Sequence, residues 1–228
     1  MVSFDESLSP LSRREPHLSY LASEISRSSG GASDSVQASF QLARQLQISD
    51  AELGDIFAFC SGLYFRGKLT YAHRFAQPPP GFSGVLIITS SRGLLSPESR
   101  ISLGDLEEFS SVNIDASEPR FAIPLLESAR SLVSTECECE VVLLGSIATG
   151  KYVDALLPVF GERLVFPSEF VGRGDMSRGG LLLRRTAMGG ELDYIPITGA
   201  IRKGRRPAKL MAMNLIRLAV GIDSPKRQ

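Results

Sequence analysis

The order of apolar and polar residues divides the chain into a helical first part and a second part in which strands alternate with helices. Apolar residues recur at helical spacing over residues 36–46 and again over residues 53–64, which predicts two amphipathic helices. A shorter helix is predicted over residues 68–76, and it ends before the prolines of residues 78–80 because proline has no backbone N–H to continue a helix. The pattern therefore predicts a helical portion over residues 17–80.

Beyond residue 81, short continuous apolar runs replace the amphipathic pattern. Residues 85–89 and Val141–Leu144 are such runs, and they are typical of strands that are buried on both faces. Predicted helices separate these two runs from each other and from a third strand over residues 163–167, and the first of these helices is predicted to be capped by Ser102 and Asp105. Strands that alternate with helices favour parallel pairing with helical crossovers. We therefore expect the first two strands to be adjacent or near-adjacent and parallel, in the middle of one sheet.

The ends of the chain are predicted to add smaller features to this sheet. Residues 181–186 and 191–197 flank a turn with two glycines, which is typical of a hairpin. Residues 207–220 have the apolar stripe of a helix that begins with basic residues. Residues 1–16 are polar, contain two prolines and are expected to form a disordered arm. The predicted fold class is a single α/β domain with a mostly parallel central sheet, and residues 81–228 form its α/β core with a basic C-terminal third.

Composition narrows the class of protein. Hydrophobic residues make up 43% of the 228 residues, which is enough for a core that needs neither disulfides nor a structural metal. No apolar run approaches the ~20 residues of a membrane helix, and the polar start lacks the apolar stretch of a secretory signal. We expect a cytoplasmic protein without membrane association. Three cysteines, with Cys137 and Cys139 two positions apart, are not the pattern of a disulfide framework, and two histidines supply few further metal ligands.

The formal net charge of zero conceals a separation of charge along the chain. From Arg163 to the end there are 13 Lys and Arg against 5 Asp and Glu, whereas the rest of the chain has 12 against 20. The two parts therefore have net charges of +8 and −8. Such a separation indicates either that the last third faces an anionic partner or that the two parts face each other.

A glycine-rich turn follows the second predicted strand and opens a predicted helix. Its spacing is that of a phosphate-binding loop, in which backbone N–H groups surround a phosphate and the helix N-terminus favours the anion. Tyr152 stands where the full motif has a Ser or Thr that binds magnesium. Three interpretations stay open: a nucleoside triphosphatase loop, a loop that faces another phosphate or a ribose, and a plain strand-to-helix turn. The candidate ligand-binding residues are Gly145, Ser146, Thr149, Gly150 and Lys151.

A second glycine-rich segment, residues 170–180, is predicted to be a flexible loop at a sheet end, where α/β proteins bind ligands. Arg173, Ser177 and Arg178 are its candidate ligand-binding residues, because arginine forms bidentate contacts with phosphate or carboxylate groups. Asp175 is a candidate acid–base group, or a partner that orients an arginine. The alternative is an ordinary polar loop with Asp–Arg pairs. Because loops at the carboxyl ends of parallel strands lie on one side, we expect this loop and the preceding turn to converge.

Two further places carry candidate chemistry. His73 lies in an aromatic-rich stretch and could act as a general base, with a surface histidine on a helix as the alternative. Near the C-terminus, five cations within eight positions suit a phosphate backbone, although no aromatic residue is interleaved for base stacking. The alternative is a solvated entrance to a helix. These candidate nucleic-acid-binding residues are Arg202, Lys203, Arg205, Arg206 and Lys209.

Three stretches within residues 60–160 have a recognisable order: residues 63–72, residues 85–97 with a Gly-Leu-Leu-Ser-Pro turn, and residues 141–153. In this order they resemble the YaaA-like and DUF6884-like proteins. That family usually opens with a strand that carries a Ser-Cys pair followed by lysines, whereas only helices are predicted here before residue 84. Leu103 and Asp105 replace the tyrosine and aspartate that follow the turn in the family. The resemblance implies an α/β fold and an association with nucleic acids or modified nucleobases.

Taken together, these features favour a nucleotide- or nucleic-acid-binding protein, and they leave open whether it acts on a nucleobase or nucleotide as an enzyme. The alternative is a non-catalytic subunit of a protein assembly that docks through its oppositely charged surfaces. The expected partners are accordingly a nucleic acid or nucleotide, or else a protein partner or a second copy of the chain. No cofactor or metal is indicated.

Overall fold

A computed structural model describes residues 2–4, 34–133 and 139–210. Within these residues the protein has a mixed α/β fold, as the sequence pattern predicts. The helices are α1 (Asp34–Gln47), α2 (Leu53–Cys60), α3 (Gly62–Phe75), α4 (Leu103–Ser111), α5 (Pro119–Val133), α6 (Gly150–Phe160) and α7 (Asp175–Met188). The strands are β1 (Val2–Phe4), β2 (Ala51–Glu52), β3 (Leu86–Ile88), β4 (Leu94–Leu95), β5 (Arg100–Ile101), β6 (Val141–Leu144), β7 (Leu164–Pro167) and β8 (Tyr194–Pro196). None of the described helices has the length and hydropathy needed to cross a bilayer.

The strands form three small sheets, β4–β3–β1, β6–β7–β8 and β2–β5, rather than one mostly parallel central sheet. Six of them lie in the order β4–β3–β1–β6–β7–β8, while β2 and β5 pair separately. The inner pairs β1–β3, β1–β6 and β6–β7 are parallel, and the outer pairs β3–β4 and β7–β8 are antiparallel. The two three-stranded halves meet where Val2 and Ser3 of β1 pair with Leu143 and Leu144 of β6. The α/β class is therefore confirmed, but the expected single, mostly parallel central sheet is divided.

The strand between β3 and β6 comes from the segment that was expected to be a disordered arm. Val2–Phe4 form β1 and are parallel to both neighbours, so β3 and β6 are near-adjacent, as expected. The arm prediction is wrong for these three residues, because so short a strand has no periodicity that a sequence pattern could reveal. Residues 5–16, and residues 17–33 of the predicted helical portion, lie outside the described residues.

Helices cover the strands in two main pairs, α5 with α6 and α3 with α7. The right-handed rule for parallel crossovers places α5 and α6 on one face and α3 on the other. The backbones of α3 and α7 approach each other at two glycines. A Cβ on Gly67 would lie 2.8 Å from the carbonyl oxygen of Gly179, and a Cβ on Gly179 would lie 2.8 Å from the Cα of Tyr64. Gly179, in the predicted glycine-rich loop, therefore serves helix packing.

The predicted C-terminal hairpin is wrong. Residues 181–186 belong to α7, which ends with Gly189 in the left-handed conformation at φ 72°. Glycine at this position is a common way to end a helix, since it adopts positive φ without steric cost. Strand β8 pairs antiparallel with β7 instead of with residues 181–186. Of the predicted basic helix, residues 207–210 are not helical, and residues 211–220 lie outside the described part of the chain.

Candidate functional site

Two segments leave the carboxyl edge of the parallel strands β6 and β7. Residues 145–149 lead from β6 into α6. A 3₁₀ turn, Ser168–Phe170, and residues 171–174 lead from β7 into α7. Both segments leave the same edge because β6 and β7 are parallel, and this is the edge at which α/β folds bind ligands.

A basic stretch of irregular backbone lies against both of these segments. Residues 201–209, which we call the basic strap, begin beside α6, where Nη1 of Arg202 is 3.8 Å from Oδ1 of Asp154. Further along the strap, the carbonyl oxygen of Arg205 is the nearest atom to a Cβ built on Gly172, whose φ is 75°. Leu210, which follows the strap, approaches α7. The basic strap therefore crosses the carboxyl edge from α6 on one face of the strands to α7 on the other.

The side chains of the basic strap are directed to solvent. All five of the predicted cations are exposed. Arg202 has the ion pair with Asp154, in which both side chains are about half exposed. Within the part of the chain that the structure describes, the other four cations have neither an ion pair nor a side-chain hydrogen bond. Such a concentration of uncompensated charge raises the local concentration of anions. These four residues are Lys203, Arg205, Arg206 and Lys209.

An acidic side chain of α6 lies beside the end of the turn that follows β6. The carboxylate of Asp154 folds back over the start of α6, where its Oδ2 would clash with a Cβ on Gly150. The negative charge of this carboxylate lies beside the first turn of the helix, where it disfavours a bound phosphate. Thr149, at the N-cap, makes no side-chain capping bond. Ser146 accepts a hydrogen bond of 3.3 Å from the N–H of Ala148. The turn is therefore organised by internal contacts, with Gly145 buried and Lys151 half-buried in the first helical turn.

The two arginines after β7 are bonded to the backbone of their own segment. Arg173 donates from Nε to the carbonyl oxygen of Glu169, at 2.9 Å, and from Nη1 to the hydroxyl of Ser177, at 3.3 Å. Arg178 is 8% exposed and donates from Nε to the carbonyl oxygen of Phe170, at 3.4 Å. Both guanidinium groups thus satisfy carbonyl groups of the 3₁₀ turn. Residues 175–180, expected in a flexible loop, are the first residues of α7.

The two candidate catalytic residues lie at opposite edges of the strands. Asp175 begins α7 at the carboxyl edge, and its carboxylate is 3.4 Å from Nη1 of Arg178. His73 is exposed in the last turn of α3. The chain after this turn leads to the start of β3, where a Cβ on Gly84 would lie 3.0 Å from the Cβ of Ala76. His73 and Asp175 therefore do not share a site.

The Gly-Leu-Leu-Ser-Pro turn, which carries the family resemblance, lies beside a network of hydrogen bonds and ion pairs. Asp105 accepts from the N–H of Ser102, at 2.6 Å, in a capping box at the start of α4, as the sequence predicts. Arg92 contacts Asp105 and Glu108, each at 2.5 Å. The hydrogen bonds from Ser102 and the nearby Arg92 guanidinium hold the pKa of Asp105 below its usual value. Leu94 donates its N–H to the hydroxyl of Ser128. The carboxyl end of β3 is therefore closed by paired charges.

Sequence reasoning missed a cavity of about 410 Å³ that extends from the amino edge of β3 and β6 to the start of β8. A chain of hydrogen bonds borders it, in which the hydroxyl groups of Tyr71 and Tyr194 lie 2.7 Å apart. Tyr194 donates to Oε1 of Glu191, at 2.8 Å, and the N–H of Leu192 donates to Tyr71, at 2.7 Å. Burial, together with the bonds to Tyr71 and Glu191, raises the pKa of Tyr194 well above its usual value. The bonded tyrosines are 123 positions apart, so no local pattern could have indicated this chain.

Comparisons with protein-family models, curated proteins and solved structures give no match. The resemblance to the YaaA-like and DUF6884-like proteins stays a prediction, although β1 supplies a strand before residue 84 that the sequence did not indicate. Among the described residues, no group of three or more His, Cys, Asp or Glu is placed to hold a metal ion, and Cys137 lies outside those residues. The function must therefore be argued from the geometry.

Proposed function

We propose that the protein binds the phosphate backbone of a nucleic acid across the carboxyl edge of β6 and β7. The observation that carries this proposal is the basic strap, whose five cations are exposed. Its contacts with Asp154 and Gly172 hold the strap against the fold on both sides of the edge. Phosphate contacts from lysine and arginine supply most of the affinity in sequence-independent binding.

A chain of phosphates fits this arrangement better than a single nucleotide. The cations are distributed along residues 202–209, which have neither helical nor strand structure, so several separate anions are needed to contact them. The N-terminus of α6, where a single phosphate would bind, has the carboxylate of Asp154 beside it, and like charges repel. The strap contains no aromatic residue for base stacking, so we expect little dependence on base sequence.

Binding, rather than catalysis, is the activity that the geometry supports. The candidate acid–base groups His73 and Asp175 are at different edges of the strands, as described above. Among the ligand candidates of the two glycine-rich segments, Arg173 and Arg178 are bonded to backbone carbonyls. We therefore assign no reaction to the carboxyl edge.

The proposal is tested by measuring the affinity of the full chain for labelled single- and double-stranded oligonucleotides over a range of salt concentrations. The variant Arg205→Ala/Arg206→Ala removes two strap cations. The matched control, Arg66→Ala/Arg130→Ala, removes two exposed arginines of α3 and α5 that have no ion pair within the described residues. We expect the strap variant to bind at least about tenfold more weakly and its salt slope to fall by roughly 1.4 to 1.8, because each lost phosphate contact contributes about 0.7 to 0.9.

Two results would reject this function. One is a wild-type chain that binds no oligonucleotide at low salt. The other is an equal loss of affinity in the strap variant and in the control, which would mean that the general charge of the protein, and not the strap, attracts the nucleic acid. Binding of free nucleotides that survives the strap substitutions would indicate a nucleotide site elsewhere.

A second candidate function, docking in a protein assembly, is favoured by two exposed apolar side chains near the carboxyl edge. Ile201 is 71% exposed at the start of the strap, and Met176 is 68% exposed in the first turn of α7. Large apolar side chains on a surface are often contacts for a protein partner. Light scattering on the wild-type chain and on Ile201→Ser/Met176→Ser tests this candidate. A defined oligomer that dissociates in the variant would support it, and a monomer in both would reject docking between copies of the chain.

A further inference from the structure

The cavity at the amino edge lies where three helices end. Phe75 is the last residue of α3, Val133 of α5 and Phe160 of α6, and all three line the cavity. Helices that connect parallel strands run antiparallel to them, so their carbonyl ends collect at the amino edge. The last turn of a helix has a partial negative charge that favours a nearby cation. The backbone around this cavity is therefore suited to a positively charged group.

The side chains that line the cavity also favour a positively charged group. The lining includes four aromatic rings, and the faces of such rings attract cations. It also includes two carboxylates, Glu140 and Glu191, against one guanidinium group, that of Arg163. Neither carboxylate has an ion pair within the residues that the structure describes. The four rings belong to Phe75, Phe82, Phe160 and Tyr194.

Glu191 is held in place by the chain of hydrogen bonds that includes the two tyrosines. Because Tyr194 donates to Oε1 of Glu191, the hydroxyl of Tyr71 is left to donate to Tyr194. Tyr71 in turn accepts the N–H of Leu192. Each donor in this chain is used once, and Oε2 of Glu191 has no hydrogen bond from any described residue. A ligand with a charged N–H group can therefore bind this oxygen without breaking an existing bond.

We propose that the amino-edge cavity binds a small organic cation, an ammonium or amidinium group attached to a ring. Its volume of about 410 Å³ lies within the range of small-molecule sites. The positive group pairs with Glu191, and the ring packs against Phe82 and the neighbouring prolines. No residue of the basic strap lines the cavity, so this site is independent of nucleic-acid binding.

Three probes with the same ring and different charges test the proposal: benzamidine, benzamide and benzoate. Binding to the full chain is measured by NMR titration. We expect benzamidine to bind, benzamide to bind about tenfold more weakly, and benzoate to bind more weakly still, because charge is the feature that the site recognises. Any other order, or no benzamidine binding up to about 10 mM, overturns the proposal.

Two variants place the binding at this cavity. Glu191→Gln removes the charge while its amide oxygen still accepts from Tyr194, and we expect benzamidine affinity to fall about tenfold. Glu140→Gln, with no described hydrogen bond to lose, is the second variant and keeps the test valid if the first does not fold. Glu127→Gln, an exposed position on α5 outside the cavity, is the control. Unchanged benzamidine affinity in both cavity variants overturns the proposal, as does an equal loss in the control.

Discussion

The carboxyl and amino edges of the same strands differ in charge and in enclosure. The carboxyl edge is open, and exposed cations of the basic strap lie beside the start of α6. A half-open cavity of about 410 Å³, with exposed carboxylates and aromatic rings, begins at the amino edge, where α3, α5 and α6 end. The backbone contributes to this difference in charge. Helices that connect parallel strands begin at the carboxyl edge and end at the amino edge, so their partial positive charges lie at the first edge and their partial negative charges at the second. The strap cations and the cavity carboxylates add to this difference.

The basic strap and the cavity each have a side chain of the opposite charge beside them. Asp154 lies among the cations of the carboxyl edge, where it pairs with Arg202. Arg163 lies in the cavity at the amino edge. These two residues limit the charge at their edge, and substitution of either one is a way to measure how much of the preference depends on the remaining groups.

The largest expected effect is on the stability of the fold, from a substitution at the crossing of α3 and α7. Gly179→Ala places a Cβ 2.8 Å from the Cα of Tyr64, where no flexible side chain can move away. We expect a loss of about 1 to 3 kcal/mol in the free energy of unfolding, measured with urea. Gly104→Ala in α4, where the nearest atom to the new Cβ is 3.7 Å away, is the control and should be neutral or stabilising. Equal behaviour of the two variants would contradict the close crossing.

The next effect is on the chain of hydrogen bonds that borders the cavity. Tyr71→Phe removes the hydroxyl that accepts from Leu192 and bonds to Tyr194. We expect a loss of about 1 to 2 kcal/mol in stability, because the buried N–H of Leu192 is left without its acceptor. Oligonucleotide affinity should not change under conditions in which the variant is folded. A change in that affinity would mean that the two edges are not independent.

A smaller effect is expected at the carboxyl end of β3, where the charges are paired rather than free. Asp105→Ala removes the capping box and the contact with Arg92, and we expect a loss of about 1 kcal/mol at pH 7. The folded protein lowers the pKa of Asp105 below its ordinary value of 3.8, so its contribution is fully present above that pH and is lost as the pH falls through the lowered pKa. The difference from wild type should therefore shrink in acid. Glu107→Ala, at an exposed position on the same helix, is the control.

The smallest effect on stability is expected from Asp154→Asn. Its ion pair with Arg202 is long, at 3.8 Å, and both side chains are about half exposed, so the change should be less than about 0.5 kcal/mol. The variant removes the negative charge from the carboxyl edge and releases Arg202. We expect oligonucleotide affinity to rise by about two- to threefold at low salt and to return towards wild type as salt screens the charge. Weaker binding at low salt would mean that positioning of the strap by this ion pair outweighs the negative charge that Asp154 adds to the edge.

Local signals in the sequence were sufficient for some elements and not for others. The buried strands β6 and β7 and the capping box of α4 were predicted because their patterns lie within a few residues. Strand β1 was missed because its stability depends on strands more than 80 positions away. Residues 181–186 were mistaken for a strand because their helical state is supported by packing of α7 on α3, a contact that no local pattern shows.

The same limit applies to the two candidate sites. The basic strap could be recognised from composition, but its position across the carboxyl edge depends on Asp154 and Gly172, which are distant from it in the chain. The amino-edge cavity could not be predicted at all. Its lining comes from the ends of three helices and from residues as far apart as Phe75 and Tyr194.

The opposite charge preference of the two edges is tested most directly by the backbone amide NMR signals of the full chain, titrated separately with a short oligonucleotide and with benzamidine. We expect the oligonucleotide to shift amides of residues 201–206 and of the adjoining Gly172, and benzamidine to shift amides of residues 75–84 and 191–194. An oligonucleotide that shifts the cavity residues, or two ligands that shift the same set, would contradict the assignment of an anion to the basic strap and a cation to the cavity.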